Sequence, residues 1–235
     1  MTVRYLVIGA AGHAQEVAWA LCEQGVGDGE LLFFDDAVPP GPLPSGLGRV
    51  VGPLGAVAHW AHGTAAALVL GIGLPRTKAA VVARLAPLGL PWATVVHPRA
   101  IVGPNTIVGA GSYVGAGAIL TVNARVGRFA TINMHCQVAH DGVVEDLATL
   151  HPDVHLAGGV VIGEGAELGT GTIAIPGVAI GPWAVLGAGA VAVRSLAGGR
   201  TYVGVPARPL SECARGGRLR PVPAALARRR LRGDA

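Results

Sequence analysis

From residue 100 to residue 195 an apolar residue returns at every sixth position, opening with Val102, Val108, Val114 and Leu120 and closing with Ile180, Leu186 and Ala192. Cut at Ala100, the stretch falls into sixteen hexads without an insertion. The first place of each is mostly Ala, Thr, Ser or Cys, the third is aliphatic, and a glycine often follows it. A fixed hexapeptide period is the pattern of a parallel β-helix, and three hexads close one triangular coil of about eighteen residues. The third places are expected to point inward and stack coil on coil, with the small first places near the corners. The glycines are expected to supply backbone angles that other residues reach at a cost.

Ahead of the period the pattern changes. Residues 4–8 read as a strand, followed by Gly9-Ala10-Ala11-Gly12-His13, a helix to about Gln24, and a second strand at 31–34 ending in Asp35-Asp36. Strand, glycine turn, helix, strand and acid pair form the opening of a nucleotide-binding, Rossmann-like α/β unit. Free N–H groups at the helix start can receive phosphate, and an acid at the end of the second strand can meet ribose or base donors. His13 can meet a phosphate or simply cap the helix. Residues 37–55, rich in Pro and Gly, read as a surface loop, 54–61 as a short helix, 65–71 as a buried strand, and 76–86 as a helix stopped by Pro87. The expected order is a small α/β domain over 1–96, a β-helix over 97–210 and a tail over 211–235. With so few strands, a mononucleotide or sugar nucleotide is the expected ligand.

Composition alters this picture little. Apolar residues make up 51% of the 235 and charged ones 14%, with 37 glycines, which suits short strands and tight corners. The net charge of +4 misleads, because seven arginines lie in the last 21 residues. Without them 11 basic residues face 14 acidic ones, so the basic balance belongs to the tail and no nucleic-acid-binding face is expected. No apolar run is long enough to span a bilayer, and no signal peptide is read at the start. Three widely spaced cysteines, Cys22, Cys136 and Cys213, suit a reduced, cytoplasmic compartment.

The pieces VIGAAGHAQEV, FFDD, VHPRA, VAHDGVV, AIPGVAIG and YVGVPAR, in this order over residues 3 to about 210, resemble the left-handed β-helix (hexapeptide-repeat) acyltransferases. The resemblance is to the PglD/NeuD-type branch, which acetylates nucleotide-linked amino sugars or sialic acid. It implies acyl transfer from acetyl-CoA, with no metal, in a homotrimer whose cofactor lies between neighbouring coils. The catalytic histidine of that family matches His140, next to Asp141. In the hexad frame these take the fifth and sixth places, at a corner where side chains leave the core. An imidazole there can take a proton near neutral pH, and a carboxylate beside it can fix its tautomer. Gly158, eighteen residues on, is expected one coil below, with its N–H available to a developing oxyanion.

The resemblance also implies contacts from Gly187, Ala188 and Arg208 to CoA. Gly9, Gly12, His13, Asp35 and Asp36 would hold the nucleotide, with the sugar directed at His140 of an adjacent subunit. Apolar Phe129, Ile173 and Trp183 at outward or corner places are expected to be covered in the trimer. The chain departs from the family pattern at Thr149, where a second histidine often stands. His151, two residues on along the same face, either takes that role or the role is absent. Two rival classes are carried forward. One is a metal-dependent hydratase of the carbonic anhydrase type, using His135, His140 and His151 or His155; the other is a CoA-binding scaffold without turnover.

Overall fold

A computed structural model of the protein describes residues 3–63 and 65–213. The arginine-rich tail lies outside these beyond residue 213. The N-terminal domain is a five-stranded sheet built from β1 (Arg4–Ile8), β2 (Leu31–Phe34), β3 (Gly41–Pro42), β4 (Arg49–Gly52) and β5 (Ala66–Leu70), in the order β3-β4-β2-β1-β5. All neighbours pair in parallel except β3 and β4, which are antiparallel. The Pro/Gly-rich segment read as a loop therefore contributes two strands, of which β3 is the edge of the sheet. Helices α1 (Gly12–Glu23), α2 (Val57–Ala61) and α3 (Pro75–Leu85) complete the domain. The strands Leu31–Phe34 and Leu68–Leu70 are buried on both sides, as strands covered by helices on both faces must be.

The hexads build the second domain. Each contributes a two-residue strand at its second and third places, from Ile101–Val102 to Val191–Ala192. From Ile101–Val102 to Ile173–Ala174 each strand pairs in parallel with the one eighteen residues on, as Ile119 does with Gln137 and Thr131 with Thr149. Three sheets result, which we name by their members. The first face carries Tyr113–Val114, Thr131–Ile132, Thr149–Leu150 and Glu167–Leu168; the second carries Ile119–Leu120, Gln137–Val138 and His155–Leu156; the third carries Arg125–Val126, Val143–Val144 and Val161–Ile162. First and third places alternate inward around the outward second place, the period of two of any strand. Ala118, Leu120, Ala130, Ile132, Cys136 and Val138 are all buried in one continuous core. Burial also pushes the Cys136 thiol up to about 12, so it is a small apolar residue in this core rather than a nucleophile.

The coil begins one hexad earlier than the repeat count shows, because Val95–Val96 already pairs with Tyr113–Val114 on the first face. It ends when the offset drops: Val185 and Leu186 pair with Thr201 and Tyr202, sixteen residues on. The hairpin Thr201–Val203 with Arg208–Pro209 and the short helix Leu210–Cys213 close that end.

The glycines do not work as expected. The left-handed backbone falls on the sixth place, where φ is positive from Asn105 at 55° through Asp141 at 59° to Gly189 at 68°. Eight of these corner residues are not glycine. The glycines at the fourth place are required for a different reason. A Cβ on Gly163 would lie 2.6 Å from the Pro182 nitrogen, and one on Gly103 2.8 Å from the Thr121 carbonyl oxygen, both backbone atoms of the next coil. Close approach, not a special φ, excludes side chains there.

The N-terminal domain covers the first face. Tyr113, Thr131 and Thr149 occupy outward places yet are 1–3% exposed, whereas Arg125 and Gln137 at the same place on the other faces are exposed. Phe129 is buried beneath Trp92, ring centroids 5.3 Å apart, and Arg76 lies 5.2 Å over Trp183. These two aromatics are thus covered within the chain, and of the three apolar residues expected at a subunit interface only Ile173 remains 43% exposed.

At the centre of this interface Lys78 of α3 is fully buried. Its ammonium donates to the carbonyls of Phe129 (2.9 Å) and Ala148 (3.1 Å) and to Thr131 Oγ1 (3.3 Å), three acceptors for three protons. Burial pushes its pKa down to about 7, Glu167 opposing in part. Between that value and the ordinary 10.5 the unfolded chain binds a proton that the folded one does not, so this group's effect on stability becomes more favourable as pH rises. Urea unfolding of the wild type and Lys78→Met is therefore expected to show a gap that moves in favour of the wild type from pH 7 to 10. A gap independent of pH would contradict the assignment.

Candidate active site

His140 and Asp141 stand at the corner joining the second and third faces, after the strand Gln137–Val138 and before Val143–Val144. Asp141 is the sixth-place residue of its hexad, with φ 59°. This turn aims its carboxylate back at its neighbour: Asp141 Oδ2 lies 2.8 Å from His140 Nδ1. The other oxygen accepts from Asn123 Nδ2 at 3.0 Å, one coil earlier on the same corner. His140 first, and Asn123 second, hold the Asp141 carboxyl below its usual range. An ionised carboxylate can only accept, so Nδ1 carries the proton and Nε2 presents its lone pair.

That lone pair sits over Gly158. A Cβ on Gly158 would overlap Nε2 and lie 2.5 Å from Cε1, so only glycine admits the imidazole in this position. The Gly158 N–H makes no hydrogen bond among the described residues. Both His140 and Asp141 side chains are more than half exposed, at 69% and 60%. Base nitrogen, bare backbone donor and open solvent therefore meet at one point. Apolar Val122, Ile173, Ile175 and Val193, each about 40% exposed, lie on the second face or at this corner.

The other histidines of the coil do not join this point. His135 faces Asp153 at 3.6 Å, His155 Nδ1 meets Gln137 Oε1 at 3.0 Å, and His151 Nε2 meets Glu167 Oε1 at 2.9 Å. Thr149 Oγ1 donates to the Gly73 carbonyl at 2.6 Å, and so ties the first face to the turn after β5. His151 reaches the same face through Glu167, which pairs with Thr149 in the ladder. Gly187 and Ala188 lie at the corner between the first and second faces, and Arg208 in the closing hairpin donates to the Ala207 carbonyl at 3.0 Å. The structure thus gathers His140, Asp141 and Gly158 and leaves these three elsewhere on the same subunit.

The residues expected to hold a nucleotide surround the carboxyl ends of β1, β2 and β5, where ligands of open α/β sheets bind. Gly9 has φ 99°, and a Cβ added there would lie 3.2 Å from the Gly71 carbonyl oxygen. Helix α1 starts without a side-chain cap, and nothing lies within 4 Å of a Cβ on Gly12, so its first N–H groups are accessible. His13 stacks edge-on against Tyr113 at 5.5 Å with Nδ1 3.4 Å from Glu16, while its Nε2 and the Tyr113 hydroxyl are buried without partners. Asp35 accepts from Ala10 N–H at 2.9 Å and from Ala37 and Val38 N–H at 2.8 and 3.2 Å. Asp36 accepts from Leu54 N–H and pairs with Arg84 at 2.5 Å, which with the first of these bonds holds its carboxyl below the usual range. Both acids brace the turn, a role their position at the end of β2 did not reveal. Beside the turn after β5, a cleft of about 330 Å3 opens between the start of α3 and the first face, lined by Leu74, Arg76, Glu167, Trp183 and Arg200.

A triangular coil of hexads, a nucleotide-type domain on one face and a histidine-carboxylate pair over a glycine define a β-helix acyltransferase. No protein-family model and no curated relative matches the chain, but solved structures do. A histidine-to-asparagine mutant of perosamine N-acetyltransferase from Caulobacter crescentus, in complex with CoA and GDP-perosamine, is 32% identical with a TM-score of 0.83, over 88% of this chain and 96% of that one. The acetyltransferase domain of PglB from Neisseria gonorrhoeae, in complex with acetyl coenzyme A, is 29% identical with a TM-score of 0.81, over 88% and 98%. WeeI from Acinetobacter baumannii is 27% identical with a TM-score of 0.80, over 88% and 100%. The chain belongs to the hexapeptide-repeat, left-handed β-helix acetyltransferases of the PglD/NeuD type. No helix among the described residues is long and apolar enough to cross a membrane.

The packing of His140 on Gly158 gives a direct test. Gly158→Ala should displace the imidazole into solvent without disturbing the core. A kcat lower by roughly 10- to 100-fold is expected, with a Tm within about 2 °C of wild type. Full activity in this variant would remove the stacked geometry from the mechanism.

Proposed function

We propose that the protein transfers an acetyl group from acetyl-CoA to the amino group of a nucleotide-linked amino sugar. The observation that carries this reading is the His140 lone pair held over Gly158 by Asp141. The amine of the acceptor attacks the thioester carbon while His140 Nε2 takes its proton. The carbonyl oxygen gains negative charge and is met by the Gly158 N–H. Collapse expels the thiolate of CoA, which recovers the proton from the imidazolium. Asp141 keeps the ring in the acceptor tautomer and stabilises its charged form. The choice of an amine rather than a hydroxyl is supported by the perosamine N-acetyltransferase, to which this chain is similar.

The acceptor is held in this reading by Gly9, Gly12 and His13 at the start of α1, in a crevice braced by Asp35 and Asp36. CoA lies along the His140 corner, with Gly187, Ala188 and Arg208 contributed across a subunit boundary. The reaction takes place between subunits of a homotrimer. Its support is geometric: the N-terminal domain occupies the first face, whereas His140 stands at the corner opposite that face. A crevice on one chain therefore serves the histidine of its neighbour, and the exposed apolar residues near His140 are covered by that neighbour.

Thiol release from acetyl-CoA, measured with UDP-, dTDP-, GDP- and CMP-linked amino sugars, tests the chemistry. Transfer to one of them is expected, with a loss of roughly 100-fold or more in His140→Ala. CoA binding without transfer to any acceptor would instead mark a scaffold. The shared site has its own test. Gly12→Glu places a negative charge in open space at the helix start, where phosphate would bind. Co-expressed with His140→Ala, it should restore about a quarter of wild-type activity, since random pairing leaves about that share of interfaces with one intact partner of each kind. Mixed oligomers as inactive as their parents would place both halves of the site on one chain.

A further inference from the structure

The corner that carries His140 is continuous in the direction of the coil axis. Asn105, Asn123 and Asp141 take the same sixth place in three successive coils, with φ of 55°, 59° and 59°. Stacked at this spacing, their side chains form a ladder on the outside of the β-helix. Asn105 Nδ2 lies 3.4 Å from Asn123 Oδ1, and Asn123 Nδ2 lies 3.0 Å from Asp141 Oδ1. Asp141 Oδ2 then meets His140 Nδ1 at 2.8 Å. Each carboxylate oxygen of Asp141 thus has one partner, and the two partners approach from different coils.

We propose that Asn123 is a positioning residue for acetyl transfer, fixing the Asp141 carboxylate so that its second oxygen orients His140 over Gly158. This rests on His140 being the base. The physical argument concerns freedom of rotation. Asp141 is 60% exposed and no core packing restrains its side chain. A carboxylate with a single hydrogen bond at the surface can turn about its own axis and exchange that bond for water. A second bond, from the Asn123 amide to the other oxygen, fixes the carboxylate plane and with it the imidazole. Direct backbone support for Asp141 goes elsewhere, since its N–H donates to the Val122 carbonyl at 3.1 Å. The lowered pKa of Asp141, due to His140 first and Asn123 second, agrees with both bonds favouring the ionised form.

The conformation of the corner supplies an unusually clean variant. Glycine occupies the sixth place at Gly111, Gly117, Gly159 and Gly165 with φ of 62–74°, so Asn123→Gly removes the amide at a position whose backbone glycine adopts freely. The expected result is an unchanged melting temperature, a kcat about tenfold lower and KM values for both substrates within about twofold. Asn123→Asp, which keeps the size and loses the donor, should lower kcat at least as far. Asp153→Gly, the same change at a corner place paired with His135, should leave kcat at the wild-type value. In an Asp141→Gly background the further change Asn123→Gly should have no effect, because the amide then has no carboxylate to hold. Losses that multiply in the double variant would mean that Asn123 acts by another route, and would overturn the proposal. So would a wild-type kcat in Asn123→Gly alongside a crippled His140→Ala. An active His140→Ala would overturn the base assignment and this inference together.

Discussion

Each coil of the β-helix is bonded to the next through parallel backbone pairs set eighteen residues apart, and that fixed offset governs the rest of the molecule. It stacks the inward aliphatics into one core, and it also stacks whatever stands at the corners. His140 over Gly158, and Asn123 beside Asp141, are both eighteen-residue neighbours. The site needs no dedicated loop. It is built from turn residues held by the backbone ladder, the kind of rigid support that acid–base chemistry requires.

The N-terminal domain is held on the coil by a different kind of interaction. Lys78 places a charge where the first face meets α3 and satisfies two carbonyls and a hydroxyl. Thr149 adds a bond to the turn after β5, and Trp92 covers Phe129. Together they fix the crevice at the carboxyl ends of β1, β2 and β5 on a face turned away from the chain's own His140. That separation is the observation on which the proposal of a site shared between subunits rests.

The coil was legible in the sequence because its determinant is a period: the third-place aliphatics from Val114 on sit inside as read, while Val102 at the open end stays exposed, and the fifth and sixth places fall at corners. The α/β order was legible for the same reason, down to the strand ends that carry Gly9 and Asp35. Other features depended on contacts between residues that no period relates. The fourth-place glycines were assigned to special angles, yet what excludes a side chain at Gly163 is the backbone of Pro182. Phe129 and Trp183 read as surface to be covered by a partner, because the domain that covers them is remote in sequence. Lys78 looks like any lysine of an exposed helix. Asp35 and Asp36 stood at the right strand end, but their bonds to Ala10 N–H and Arg84 needed coordinates.

The sixteen-residue step, seen at Ile180 with Leu196 and again at Leu186 with Tyr202, shows where the register is relaxed, beyond His140, Asp141 and Gly158. Between His140 and Gly158, an insertion of six residues would rotate everything that follows by a third of a turn. Gly158 would move to another edge, and an aliphatic third place would still point inward, so the chain would fold normally and be catalytically blind. Only whole coils could be gained or lost without that rotation. The length of such a protein should therefore evolve in quanta of eighteen residues on this stretch, while its ends drift one residue at a time.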